Sequence, residues 1–318
     1  MPPVNRNEPK RAQSSESQYS LVEFMQEFPD DNTCLEWLWR KRFSEDGEHA
    51  HCPKCDQGRV FERYETSQQR QSWTCAGCGH HLHPTAGTIF HKSSTSLHLW
   101  FYAMYLITST RCGISAKQLE RELGVTYKTA WRMFNLIRTE LMKQDPSDKL
   151  GAGAPVEVDE TYIGGRPRYR SNKRGRRPID ESSKVPVVGA VQRGGRVFAC
   201  KVESVKASTL TGFVTERVLP ASVVYTEEHK GYGDLSDPVG GKMKHSRINH
   251  SERVYVSGDV HTNTIEGFWS LVKRGIGGVY HAVSAKHLDS YLSEYIWRYN
   301  QRLNGRDRFH ALLLRSVL

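Results

Sequence analysis

His261-Thr-Asn-Thr-Ile-Glu-Gly-Phe-Trp-Ser-Leu-Val-Lys-Arg274 reads as one helix whose sides want different surroundings. At 3.6 residues per turn, Asn263, Glu266, Ser270 and Lys273 share a face. Phe268, Trp269 and Leu271 flank it and suit packing onto a sheet. An amide, a carboxylate, a hydroxyl and an ammonium on one stripe fit a metal ion beside a phosphate better than they fit plain packing. An amphipathic surface helix has the same periodicity, so the stripe alone does not decide. The acidic residues upstream do.

Two acidic pairs, Asp159-Glu160 and Glu227-Glu228, each close a strand-like apolar run. In Pro155-Val-Glu-Val-Asp-Glu-Thr-Tyr-Ile-Gly-Gly165, Val156 and Val158 alternate with Glu157, Asp159 and Thr161. Asp159 therefore sits inside a strand, an uncommon place for aspartate, with its carboxylate off the apolar side. Ser222-Val-Val-Tyr-Thr-Glu-Glu228 ends a second strand in acid. Acids on two strands and a helix form a constellation that holds two Mg²⁺ ions for in-line phosphoryl transfer. Lys273, two turns beyond Glu266, is placed to neutralise a phosphate, with Arg274 beside it. Directly after the first acidic strand, residues 166–177 carry seven basic side chains in twelve positions. Arg168, Arg170, Lys173, Arg174, Arg176 and Arg177 there read as a clamp on a nucleic-acid backbone.

The whole chain agrees with that reading. It has 318 residues, enough for two or three domains. Its net charge of +10 favours a polyanionic partner. No apolar run approaches membrane-spanning length and no charged-then-apolar segment opens the chain, so neither spans nor secretion are expected. Four of seven cysteines fall in two C-x₂-C pairs, which points to metal chemistry in a reducing compartment. The expected location is the cytoplasm, at the nucleoid. Cys34, Cys112 and Cys200 stand alone and read as buried thiols.

Cys52-Pro-Lys-Cys55 and Cys75-Ala-Gly-Cys78 supply four thiolates, which a tetrahedral Zn²⁺ takes at about 2.3 Å. A Cys₄ site leaves no open position for water, so this zinc is structural. His80, His81 and His83 follow closely and read as exposed or phosphate-facing rather than as ligands.

Ser115 to Gly124 followed by Val125 to Arg138 has the pattern of a helix-turn-helix. Ser115 caps the first helix, Gly124 ends it, and Thr126 caps the second. Tyr127, Lys128 and Arg132 then face outward near the second helix's start, where such helices touch base edges and phosphates. An ordinary pair of packed helices would share the spacing.

These readings divide the chain into a disordered tail (1–20), N-terminal helices (21–48), a zinc ribbon (49–92), a helix-turn-helix DNA-binding region (93–148), a catalytic domain (150–303) and a C-terminal tail (304–318). Strands are expected at Val156–Ile163, Val185–Val191, Val197–Val202 and Val223–Thr226, with helices near 208–219, 262–274 and 285–302. The fold class is α/β, multidomain.

Taken together, the cysteine pairs with Thr85-Ala-Gly-Thr-Ile-Phe-His91, Val158 to Gly165, Val224 to His229, and His261 to Arg274 with Gly278-Val-Tyr-His281 resemble bacterial insertion-sequence transposases of the zinc-ribbon, ISXO-like group. The resemblance runs from about Leu21 to Arg302. It implies a ribonuclease-H-like catalytic domain, a mixed sheet flanked by helices, that moves a short DNA element by hydrolysis and strand transfer with Mg²⁺ or Mn²⁺. The implied partners are double-stranded DNA, as terminal inverted repeats and as target, and further copies of the chain in a homo-oligomer on that DNA. Asp159 carries over as the first metal ligand. The third slot is filled in such enzymes by Glu or Asn, and Glu266 and Asn263 both qualify; Glu266 is preferred for its charge and its spacing to Lys273. The second slot usually reads Tyr-Thr-Asp-Glu but here reads Tyr225-Thr-Glu-Glu228, so Glu227 takes it with one methylene more. That departure admits a second reading, a transposase turned sequence-specific DNA-binding protein. A zinc-ribbon RNA-processing nuclease would share the carboxylates.

Overall fold

The structure is a computed structural model. It describes residues 19–64, 72–164, 184–236, 243–248 and 259–317, and the backbone of 169–172 and 175–178. The chain divides into two compact units, Met1–Leu141 with Leu303–Leu318, and Met142–Arg302.

The first unit opens with α1 (Leu21–Glu27), started by a capping box. Ser20 Oγ accepts from the Glu23 amide at 3.2 Å, and the Glu23 carboxylate accepts from the Ser20 amide at 2.8 Å. Pro29 stops the pattern, and Asp30 caps α2 (Asp31–Arg42). The tail expected over 1–20 overlaps the described residues at Tyr19 and Ser20. Tyr19 is buried, with its ring stacked on Phe309 at 5.2 Å; residues 1–18 lie outside the described ones.

The cysteine region is an antiparallel sheet, β1 (His49–Cys52), β2 (Gln57–Tyr64), β3 (Ser72–Cys75) and β4 (His81–Leu82), in that order. Trp73 faces inward and stacks on Trp39 of α2 at 4.7 Å, which ties the sheet to the helices. α3 (Leu97–Ser109) is apolar nearly all round because it is buried nearly all round; Trp100, Phe101, Ala103, Met104 and Ile107 have no exposed surface. Next come α4 (Ala116–Leu123) and α5 (Tyr127–Leu136). Ser115 and Thr126 cap them as expected, and Gly124 turns the chain at φ 64, a conformation that costs a side-chain-bearing residue energy. A π-helical turn, Ile137–Leu141, prolongs α5.

The second unit is a mixed sheet covered on both faces. Its strands are β5 (Val156–Ile163), β8 (Val185–Gln192), β9 (Val197–Lys201), β10 (Val223–Thr226) and β11 (Lys244–Arg247), ordered β11-β10-β5-β8-β9. β5, β8 and β9 are antiparallel, whereas β10 runs parallel to β5 and β11 parallel to β10. A separate antiparallel pair, β6 (Tyr169–Asn172) with β7 (Gly175–Pro178), falls within or beside the basic run 166–177. β11 had no signal in the sequence: Lys244-His-Ser-Arg247 has no apolar alternation and lies at the sheet edge.

Strand alternation sorts the core into two layers. Val156, Val158, Val188 and Ala190 pack with Leu210, Phe213 and Val214 of α6 (Ala207–Arg217). On the opposite face, Ile163, Val187, Val191 and Val197 pack with α7 (Asn263–Gly275) and α8 (Leu288–Asn300). α7 continues through a π-helical turn, Ile276–Tyr280.

The expected C-terminal tail is instead α9 (Arg308–Leu314), which buries Phe309, Leu312 and Leu313 and belongs to the first unit. Nor is Cys112 buried; it is exposed.

Candidate active site

The four cysteines come together first. Their sulfurs lie within 4.8 Å of one another, and among the described residues this is the sole group of three or more metal-ligating side chains drawn so tight. Cys52 and Cys78 Sγ are 3.6 Å apart, Cys55 and Cys75 Sγ 3.9 Å. Against the upward push of burial, the backbone amides of Cys55 and Lys54 and the neighbouring thiols hold the Cys52 thiol down at about 7. An all-thiolate, closed donor set of this kind suits a structural Zn²⁺. No histidine joins it: His81 Nδ1 lies 3.0 Å from the Thr74 hydroxyl instead.

The acids of the second unit are assembled by strand register. β10 pairs with β5 in parallel so that Thr226 stands beside Val158. The residues that follow are Glu227, just past the end of β10, and Asp159, and they end up as neighbours. Burial first, then repulsion from Glu227 and Glu160, push the Asp159 carboxyl up to about 8. α7 contributes the third acid. Thr262 Oγ1, at its start, lies 3.4 Å from Glu227 Oε1 and 3.3 Å from Glu266 Oε1, so one hydroxyl spans the two carboxylates. Carboxylate oxygens are the hard donors that Mg²⁺ takes, although these three are not drawn within 4.8 Å of one another as the cysteine sulfurs are.

On its other side Asp159 is paired with Gly189 of β8. A Cβ there would sit 2.6 Å from Trp269 Cζ2 and 2.8 Å from Cη2, so the absent side chain lets the indole of α7 settle on the sheet. Trp269 lies near enough to Asp159 to favour its charged form, yet no acceptor meets hydrogen-bond geometry at its buried Nε1. Gly189→Ala is expected to lift Trp269 and α7 from the sheet at a cost of about 1–3 kcal/mol. Urea unfolding checks this, and an unchanged midpoint would show that α7 is not seated through this contact.

The other acids are engaged elsewhere. Glu160 accepts a hydrogen bond from the buried Tyr232 hydroxyl at 2.7 Å, and burial, then Glu160, raise that phenol well above its usual range. Glu157 is wholly buried against Arg193 and the start of α7. Sequence reading treated Glu157 only as a face-mate of Asp159 and passed over Arg193 and Thr262. Its two-residue spacing from Asp159 was the available signal.

Of the remaining expected residues, Asn263, Glu266, Lys273 and Arg274 all lie exposed along one helix, as the periodicity predicts. Tyr127, Lys128 and Arg132 are exposed on α5. Arg170, Arg176 and Arg177 fall in the β6–β7 pair, while Arg168, Lys173 and Arg174 lie outside the described residues. Arg298, on α8, is paired with the buried Glu294 at 2.9 Å.

Beneath the site, His245 Nε2 lies 2.8 Å from the Thr226 hydroxyl. Burial, helped by Arg247, pulls this imidazole down to about 4. The unfolded chain binds the proton near pH 6.5 and the folded chain only near 4, so His245 stabilises above pH 6.5 and that contribution is lost between 6.5 and 4. A loss of about 1–3 kcal/mol over that window is expected. Urea unfolding at both ends should show a flatter dependence in His245→Gln; an equal slope would remove His245 as its source.

Comparison with known proteins adds the following. The family profile described as ISXO2-like transposase domain matches residues 151–300. A Halobacterium salinarum protein described as an uncharacterized protein in transposable element ISH50 is 30% identical over 254 residues, covering 76% of this chain and 83% of that one. A Haemophilus influenzae transposase-like protein is 32% identical over 105 residues, 33% of this chain and 81% of its own. Likeness to solved structures is distant: the mariner Mos1 paired end complex with Mg aligns at 12% identity over 64% of this chain and 74% of that one, with a TM-score of 0.27.

Proposed function

The chain belongs to the ISXO2-like group of insertion-sequence transposases, and from that membership we propose that it cuts and rejoins DNA at the ends of its own element through Asp159, Glu227 and Glu266. The observation that carries this is the parallel register of β10 on β5, which sets Glu227 beside Asp159, with Thr262 reaching from Glu227 to Glu266. All of it lies within the matched stretch. The sheet order, three antiparallel strands extended by two parallel ones, supports a ribonuclease-H-like reading of this unit.

Asp159, Glu227 and Glu266 would hold Mg²⁺ or Mn²⁺, with Asn263 one turn before Glu266 as the other possible oxygen donor. Such ions, when bound, activate a water or a 3′-hydroxyl and stabilise the leaving 3′-oxygen. The protein's own part is positional. Two strands and a helix hold the acids at fixed spacing, and Lys273 and Arg274 meet the phosphate backbone from the exposed side of α7. The Cys₄ zinc holds the ribbon.

DNA is engaged in two ways on this reading. α4 and α5 act as a helix-turn-helix reading the terminal repeats through Tyr127, Lys128 and Arg132. The basic region, 166–177, grips the backbone without regard to sequence, and copies of the chain assemble on the paired ends. Lys128→Ala and Arg132→Ala should each weaken end-binding by about 1–3 kcal/mol and reduce discrimination between sequences. Removing two or three basic residues from 166–177 should weaken binding evenly and flatten the salt slope. Gel-shift titration at several salt concentrations separates the two; unchanged end-binding in the α5 variants would leave that helix pair structural.

The deciding assay incubates the purified chain, Mg²⁺ or Mn²⁺, a duplex with the native element ends and a target plasmid. Joined products are expected. Tight end-binding without cleavage in either metal would instead support a DNA-binding protein derived from a transposase.

A further inference from the structure

We propose that Glu157 and Arg193 form a positioning pair that fixes the start of α7, and with it Glu266, against Asp159; this rests on the carboxylate site proposed above. Glu157 has no exposed surface. Burying a carboxylate is costly unless it is both paired and hydrogen-bonded, and here it is both. Arg193 Nε donates to Glu157 Oε1 at 2.6 Å. The backbone amides of Thr264 and Ile265 donate to Oε2 at 2.7 and 3.1 Å, and the Thr264 hydroxyl to Oε1 at 2.9 Å.

Those two amides belong to the first turn of α7, where helix donors lack internal partners and the dipole favours negative charge. The residue at the N-cap position, Thr262, makes no capping hydrogen bond. Glu157 does that work from β5, 107 residues earlier in the chain. The Thr262 hydroxyl is thereby turned toward Glu227 and Glu266.

Arg193 extends the lock. Its Nη1 donates to the Asp259 carbonyl at 2.7 Å and its Nη2 to the His261 carbonyl at 3.0 Å, gripping the chain just before α7. Its guanidinium also lies over the Tyr225 ring, 4.8 Å from the centroid. One side chain therefore touches β5, β10 and the entry to α7, the three elements that carry Asp159, Glu227 and Glu266. A purely stabilising ion pair has no reason to join those three.

The test is Mn²⁺ binding to the full chain by calorimetry without DNA, alongside thermal unfolding, end-binding and cleavage. Glu157→Gln keeps size and one acceptor oxygen but loses the charge and one acceptor. It should weaken Mn²⁺ binding by about 10- to 100-fold, as loss of an orienting partner does at metal sites, with end-binding unchanged. Arg193→Met should do the same, and the double variant no more than either alone. Thr264→Val, which removes only the hydroxyl bond, should give the same change in smaller measure and serves if Glu157→Gln does not fold. A lowered melting temperature with wild-type Mn²⁺ affinity would overturn the proposal, and so would losses that multiply in the double variant. Asp159→Ala run in parallel separates the two readings: if it binds Mn²⁺ and cleaves normally, the carboxylate site itself is wrong.

Discussion

Asp159→Ala is expected to abolish strand cleavage and joining while leaving binding to the element ends intact. The residue belongs to the second unit and has Glu227 and the indole of Trp269 as neighbours. Losing a ligand that places charge at the reacting phosphate forfeits several kcal/mol of transition-state stabilisation, about three orders of magnitude or more in rate. Glu266→Ala is expected to have the same effect; if Asn263→Ala is inactive and Glu266→Ala is not, the third ligand is the amide. Glu227 tests whether the longer acid belongs. Its carboxylate reaches Thr262, which Glu266 also reaches, so Glu227→Asp withdraws it and activity falls, less in Mn²⁺ than in the stricter Mg²⁺. A rise in activity would mean that the glutamate is an unaccommodated replacement. Single-turnover cleavage with parallel gel shifts measures each case, and an active Asp159→Ala ends the proposal.

The second large effect is on folding. Purified protein is expected to carry one Zn²⁺ per chain, and Cys75→Ser to lose it. Cys75 ends β3 in register with Phe61, two residues after the Trp73 that stacks on Trp39. Without the metal, four thiols within 4.8 Å of one another have nothing to hold them, and the two knuckles part. Structural zinc contributes about 10–16 kcal/mol of apparent binding energy in small ribbons and fingers, more than a four-stranded sheet of this size supplies by burial. Chelation should therefore change tryptophan fluorescence from the Trp39–Trp73 stack and expose β1–β4 to proteolysis. Metal analysis that finds no zinc in natively purified protein would rule the site out.

What the sequence determined by itself was everything set by neighbours in the chain. The caps at Ser20, Asp30, Ser115 and Thr126 are short-range hydrogen bonds, and each helix starts where its capping residue says. The strand from Val156 follows from alternation, the strand from Val223 from its apolar run, and the cysteine cluster from spacing. The exposed stripe of Asn263, Glu266 and Lys273 follows from helical period. The edge strand at Lys244 escaped because pairing with β10, not its own pattern, makes it a strand. α9 escaped because its apolar residues find their cover at Tyr19 and Phe24, some 285 residues away. Only the tertiary structure decided which acids do what. Asp159, Glu157 and Glu160 share one strand and one chemistry. Glu157 is drawn into the first turn of α7 and Glu160 onto Tyr232, while Asp159 is left facing Glu227. Charge and spacing place a carboxylate on a face, but its partner is set by whichever distant element packs there, and that is a property of the assembled sheet.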